Sequence, residues 1–279
     1  MAAPQLRAYF DFETEEDEEI LIRVALSPVS TRNALLNLQQ EAPHKDFNLY
    51  RRRAFEEWDR ELGKIEVKSL REDDLTNFYT SMYHAFTGTT EYMDVNGEYR
   101  GIDQNIHKAD RFTNYTTLSL WDTYRALHPL FNIIQQKRNS DIINSMLAHY
   151  DQSAHKMLPV WSHHANENWC MIGYHSVSLL ADAMVKNIKG FDYEKALEAA
   201  VSTAHNKYYD GIDEYIKRGY VPEDVSGNSV SKTLEFAYDD WAIAMMAERI
   251  GNVGIFNEFI IRSRNYKNLF DKETGFMRP

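Results

Sequence analysis

Several stretches of this chain set carboxylates beside indoles and guanidinium groups, a mixture suited to binding or cleaving polyols. Trp121, Asp122 and Arg125 lie at the start of LSLWDTYRALHPLFNIIQ. Leu118, Trp121, Leu127, Leu130 and Ile134 recur there at helical spacing, so one face is built for burial. An acid, a base and an indole at the mouth of a buried helix can grip a sugar. The same residues also suit plain structure: Ser119 with Asp122 fits a capping box, and Asp122 with Arg125 fits a helix ion pair. Residues 160–176, VWSHHANENWCMIGYHS, place Glu167 between Trp161 and Trp169. Apolar neighbours raise a carboxyl pKa and suit it to general acid work, although a surface-loop carboxylate reads the same way. His163 and His164 are adjacent and lack zinc-ligand spacing. Residues 229–251, SVSKTLEFAYDDWAIAMMAERIG, carry Glu235, Asp239 and Asp240 beside an expected buried stripe of Leu234, Ala237, Trp241, Ala244 and Met245. Glycoside hydrolysis needs two carboxyls across the bond. Charges on the wet side of a helix are the plainer account, but Lys and Arg are sparse around these acids. Arg100 and Asp103 can grip vicinal hydroxyls or form a loop salt bridge.

The elements that must position these groups are mostly helical. Helical patterns span about 73–87, 117–136, 139–152, 171–188, 192–206, 229–249 and 252–270. Two further helices, capped by Ser30 or Thr31 and by Asp46, form a charged connector over 30–70 that includes a short strand at Ile65, Glu66 and Val67. Residues 8–12 and 20–26 are rich in β-formers and read as strands, with the acidic run between them as a turn. Residues 88–116, 153–170 and 208–228 are long loops dense in Trp, Tyr, His and Arg, which points to function rather than disorder. Helix pairs alternating with such loops suggest an incomplete α/α toroid, since seven helices cannot close a ring of six pairs.

Composition narrows the partners. A formal charge of −11 disfavours nucleic acid. Aromatics at 13%, including 17 tyrosines, supply flat amphipathic surfaces that suit sugars or a large core. The single cysteine, Cys170, excludes an internal disulfide. No signal peptide is visible at the start and no apolar run is long enough to span a membrane. Phosphate-loop and G-x-S-x-G motifs are absent.

Eight stretches together carry a specific likeness: FYTSMYHAF (78–86), YRGID (99–103), YTTLSLWDTYRALHPL (115–130), MLPVW (157–161), CMIGYHSV (170–177), GFDYEKALEA (190–199), SVSKTLEFAYDDW (229–241) and RSRNYKNLFDKETGFMRP (262–279). They resemble glycoside hydrolase family 92, calcium-dependent exo-acting α-mannosidases that invert the anomeric centre. The resemblance implies the last strands of an N-terminal β-sandwich over 1–29, linker helices over 30–70, and the first part of an (α/α)6 catalytic domain over 71–279. It implies action on mannose-containing glycans, α-1,2 linkages foremost, in a secreted or periplasmic setting. It also implies that Trp121, Asp122 and Arg125 contact substrate, with Arg100, Asp103 and His175 in or beside matching motifs. Calcium would hold the O2 and O3 hydroxyls of mannose and help distort the ring. The family's acid, calcium and base motifs (EGNAW-like, GNEPSHH-like and GNxDxGQMSAW-like) follow the FMRP-like stretch and match nothing here. The chain is therefore expected to hold only part of the active site, with no metal ligand assigned, and to self-associate through uncovered helix faces. Two other readings stand beside this one: a non-catalytic glycan-binding fragment, and an unrelated (α/α)6 glycosidase using Glu167 with Asp239 or Asp240.

Overall fold

The computed structural model describes residues 7–279. Residues 8–12 and 20–26, expected as strands, form none. The acidic run between them does turn, with the Glu18 N–H donating to the Glu15 carbonyl. Extended backbone becomes a strand only when a neighbour satisfies its polar groups, and no described segment pairs with these residues. Their side chains stay in solvent, Val24 and Leu26 among them.

Helix α1 (Thr31–Glu41) starts where Ser30 accepts a hydrogen bond from the Asn33 N–H, and α2 (Phe47–Leu62) where Asp46 accepts from Asn48 and Leu49. α2 buries no residue fully, but Trp58 packs on Tyr83 of α3 (Glu72–Thr87) with ring centroids 4.5 Å apart. The strand expected at Ile65–Val67 is also absent. The Tyr79 hydroxyl instead donates to the Ile65 carbonyl and accepts from the Val67 N–H, so one side chain replaces a neighbouring strand.

Residues 88–119 hold short strands: β1 (Thr90–Glu91), β2 (Glu98–Arg100), β3 (Ile106–Lys108), β4 (Tyr115–Thr116) and β5 (Leu118–Ser119). β1 pairs with β4 and β2 with β3, both antiparallel. The helix expected over 117–136 is broken into α4 (Leu120–Thr123) and α5 (Leu127–Ile134) before α6 (Gln136–Gln152) begins. Pro129 explains the restart. It has no N–H to give and is tolerated in the first turn of α5, where that donor would be unpaired anyway.

A hairpin of β6 (Trp161–His163) and β7 (Asn166–Glu167) joins β5 in a three-stranded sheet. Then come α7 (Ser176–Val185), α8 (Tyr193–Ala204), α9 (Ile212–Arg218), α10 (Ser229–Ile250), α11 (Val253–Arg262) and a 3-10 turn, Asn265–Leu269. α9 lies inside a stretch expected to be loop. Its short length hides it, but left-handed Gly211 and Gly219 bracket it.

α10 is the central element, packed against α7, α8 and α11. Neighbours on several sides widen its buried face beyond one stripe. Phe236, Ile243 and Met246 are fully buried, as are Asp239 and Asp240. Trp241, expected in the stripe, is 46% exposed, while Ala237 and Ala244 are buried as expected.

A buried polar chain ties α5, α6 and α7 together. His128 Nδ1 lies 2.8 Å from Asn139 Oδ1, Asn139 donates to Asn132, and Asn132 donates to Asp182. Burial pushes His128 down to about 4, and His149 likewise. Both are neutral when folded and take up a proton on unfolding, so stability falls as pH drops from about 6.5 toward 4. Unfolding free energy in urea is expected to fall across that window by up to about 3 kcal/mol per imidazole. His128→Leu is expected to reduce the drop; a wild-type profile that stays flat would refute this account.

Candidate active site

His175 stands at the turn entering α7. Gly173 before it has φ 79°, and a Cβ there would sit 2.4 Å from the His175 ring, so only glycine fits. His175 Nδ1 is 2.8 Å from Asp239 Oδ1, and Nε2 is 2.7 Å from Glu235 Oε2 at an angle off the hydrogen-bond direction. Tyr124 stacks on the imidazole at 4.0 Å. The Arg125 guanidinium lies 4.7 Å from the Tyr124 centroid and 3.4 Å from Glu235 Oε1. Trp121 Nε1 is buried and makes no aligned hydrogen bond among the described residues.

The charges follow from this packing. Burial lowers the His175 pKa, but Asp239 and Glu235 outweigh it and raise the group to about 9. Burial raises Glu235, yet His175 and Arg125 hold it below its ordinary value. Glu235 is therefore an anion fixed between two cations. Burial pushes Asp239 up while His175 and the Tyr174 N–H pull it back, and Asp239, His175 and Glu235 titrate together. Asp240 is raised to about 6 by burial, against the pull of Arg262 and the hydroxyls of Tyr215 and Tyr174. Its oxygens meet Tyr174 at 2.9 Å, Tyr215 at 2.7 Å and Arg262 at 3.0 and 3.1 Å.

The other expected residues are placed as follows. Asp122 is exposed and takes a hydrogen bond from the Ser119 hydroxyl; its pair with Arg125 is replaced by Arg125–Glu235, because α4 ends before Arg125. Glu167 is half-buried with its side chain 6% exposed, and it accepts the backbone N–H groups of Val160, Trp161 and Trp169 at 2.8–3.0 Å. Burial raises its pKa and those donors offset part of the rise. Arg100 donates to the Pro28 and Gln104 carbonyls, while Asp103 engages Asn105 and His107, so the two do not pair.

A cavity of about 800 Å³ opens beside this cluster. Its walls include Trp121, His155, Trp169, Asp210, Ser231 and Lys232. Among the expected site residues Trp121 lines it directly. Arg125 and His175 reach its neighbourhood through Glu235, one helical turn beyond Ser231 and Lys232. Trp169, read in the sequence as an indole flanking Glu167, does line the cavity; Asp210 and Lys232 were not singled out. A lysine inside an otherwise buried α10 face was the available signal.

Residues 33–279 match the family model described as the glycosyl hydrolase family 92 catalytic domain. The chain belongs to glycosyl hydrolase family 92. A solved family 92 α-mannosidase of Bacteroides thetaiotaomicron is 52% identical, with a TM-score of 0.88 over 90% of this chain and 34% of its own. That enzyme solved with mannoimidazole gives 0.87 at the same identity, over 90% of this chain and 33% of its own. A family 92 inverting mannosidase from the same organism is 34% identical, with 0.83 over 90% and 35%. A curated relative from Arthroderma benhamiae, an uncharacterized secreted glycosidase, is 24% identical over 96% of this chain and 34% of itself. The chain thus spans about a third of these relatives' length. The family 92 fold is mainly helical here, with small β-ladders between helices.

Calcium, expected from the family, finds no cluster of three or more His, Cys, Asp or Glu arranged as ligands among the described residues. The acids near the cavity are already engaged by His175, Arg125 and Arg262.

Two outcomes follow from the site's packing. His175 is raised above its unfolded 6.5, so its stabilisation is complete below about pH 6.5 and is lost as pH rises through about 9. Chemical denaturation from pH 6.5 to 9 is expected to show that decline, with a flatter profile in His175→Gln. Glu167→Ala strands three backbone N–H groups and is expected to lower unfolding free energy by roughly 2–4 kcal/mol; a change below about 0.5 kcal/mol, typical of surface sites, would contradict the buried role.

Proposed function

We propose that this chain forms part of the glycan-binding pocket of an exo-α-mannosidase that releases terminal mannose, α-1,2-linked, with calcium assistance and inversion. The observation that carries the reading is the cavity of about 800 Å³ walled by Trp121, with Glu235, an anion held between His175 and Arg125, one helical turn beyond the lining residues Ser231 and Lys232. The indole suits the apolar face of a sugar ring. Glu235 can accept from hydroxyls and Arg125 can donate to them. Family membership and the α-mannosidase relatives support the substrate class.

The oxygens of Asp239, Asp240 and Glu167 are committed to His175, Arg262 and backbone donors. That supports positioning roles for these three rather than proton transfer. Inversion calls for two carboxyls roughly 6.5–9.5 Å apart with a water between them. The division at 29/30 and 70/71 belongs to this reading, as does a secreted or periplasmic location; the relative described as secreted supports the latter. Self-association through exposed apolar residues such as Ile133, Val253 and Ile261 is part of it too.

The test is mannose release from an α-1,2-linked mannobiose by the full-length protein, with calcium and with a chelator. Calcium-dependent release as β-mannose is expected, seen by NMR before mutarotation. Glu235→Gln is expected to lower kcat/KM by about tenfold to a hundredfold, the worth of a hydrogen bond to a charged group. Absence of release overturns the activity, an α-anomer overturns inversion, and an unchanged Glu235→Gln overturns the assignment of that carboxylate.

A further inference from the structure

We propose that Gln104 is a positioning residue for the cavity: its hydrogen bond to the Ala165 carbonyl braces the β6–β7 hairpin and so sets where the Trp169 indole stands relative to Trp121. This role rests on the mannosidase reading and adds to it a residue outside the cavity lining.

The hairpin is a poor fit to its own turn. β6 and β7 pair Ser162 with Glu167 and His163 with Asn166, which leaves a two-residue turn of His164 and Ala165. Both have positive φ, 44° and 59°. That is the pattern of a type I′ turn, which Asn-Gly normally fills because a side chain disfavours left-handed backbone. His-Ala supplies neither residue, so the turn depends on outside support. Three contacts supply it, all from residues 92–116. The His164 N–H donates to Thr116 Oγ1 at 2.8 Å, Tyr92 stacks on the His164 ring at 5.2 Å, and Gln104 Nε2 donates to the Ala165 carbonyl at 2.8 Å. Gln104 is itself left-handed, with φ 63°, a conformation that glycine holds at less cost. A glutamine there gains what glycine could not, an amide that reaches Ala165.

The brace is anchored on one side and loaded on the other. Arg100 donates to the Gln104 and Pro28 carbonyls at 2.8 and 3.0 Å. Buried Asp94 accepts from Ser27, Asn33 and Asn37 at 2.7–2.8 Å, which ties the segment ahead of β2 to α1. On the loaded side, Glu167 of β7 holds the Trp169 N–H at 3.0 Å, and Trp169 lines the cavity. β6 also pairs with β5, Trp161 opposite Ser119, and β5 runs straight into α4 and Trp121. One three-stranded sheet therefore delivers both indoles that line the cavity, and a hairpin that rocks changes the gap between them.

The experiment compares the full-length protein with Gln104→Glu and Gln104→Lys. Glu in place of Gln is isosteric but has no proton to donate when ionised, whereas Lys restores a donor that reaches the same carbonyl. Hydrogen exchange is followed by mass spectrometry over residues 160–169, together with kcat and KM for α-1,2-mannobiose. Gln104→Glu is expected to speed exchange over 160–169 about fivefold, the worth of one hydrogen bond, with α10 unchanged. It is expected to raise KM about threefold to tenfold with kcat within about twofold, which is loss of binding and not of folded enzyme. Gln104→Lys is expected to recover most of both effects. Rebuilding the turn with His164→Asn and Ala165→Gly is expected to make Gln104→Glu nearly silent, because that turn holds itself. Unchanged exchange in Gln104→Glu, or a full effect in the rebuilt turn, overturns the brace. Faster exchange with unchanged KM overturns its role for the cavity. Absence of mannose release by the unsubstituted protein overturns the mannosidase reading and the cavity role with it, while exchange still judges the brace.

Discussion

Two neighbouring carboxylates in the middle of a packed helix are tolerated only if each meets a cation or several donors, because an unpaired buried charge costs several kcal/mol. Asp239 and Asp240 impose that condition on the family 92 chain. Asp239 recruits His175 and the Tyr174 N–H, which sets the turn into α7. Asp240 recruits Arg262 from α11 and the hydroxyls of Tyr174 and Tyr215, which draws α7, α9 and α11 onto α10. The requirement to satisfy two charges thus fixes the relative places of four helices.

The site inherits its electrostatics from the same pair. Because Asp239 helps keep His175 protonated, Glu235 faces a fixed cation and stays ionised although largely buried. Tyr124 lies against His175 and carries Arg125 toward Glu235, so the break between α4 and α5 places the guanidinium at the cluster. Glu167 does comparable work for the loop over 160–169, gathering three backbone N–H groups into one buried carboxylate. A loop held in this way can keep left-handed residues and present an indole to a cavity.

Much of the fold was legible from local signals. Ser30, Asp46 and Asp192 cap helices as their types suggest, and left-handed Gly251 closes α10. The helices expected over 73–87, 139–152, 192–206 and 229–249 are present within a few residues of those limits, whereas the one over 171–188 starts at Ser176, the one over 252–270 ends at Arg262, and the one over 117–136 is broken near Pro129. Short elements were not legible. The β1–β4 and β5–β6 ladders depend on partners distant in the chain, which local pattern does not encode, while β2–β3, β6–β7 and α9 are only two to seven residues long and too short to show a period. The same dependence left residues 8–12 and 20–26 unpaired although their composition favours strands.

The sequence by itself determined the family, the helical class and the residue types available to a sugar, because long motifs and 3.6-residue periodicity are properties of the chain alone. Only the tertiary structure decided which acids face the cavity. Glu167, Asp239 and Asp240 carry the same chemistry as Glu235 and Asp210, and nothing local separates them. Folding separates them by what else lies within hydrogen-bond reach: backbone N–H groups for Glu167, His175 for Asp239, Arg262 for Asp240, His175 and Arg125 for Glu235, and Lys232 for Asp210, which lines the cavity. Burial and partner geometry set a carboxylate's role, and both arise from contacts between residues far apart in sequence.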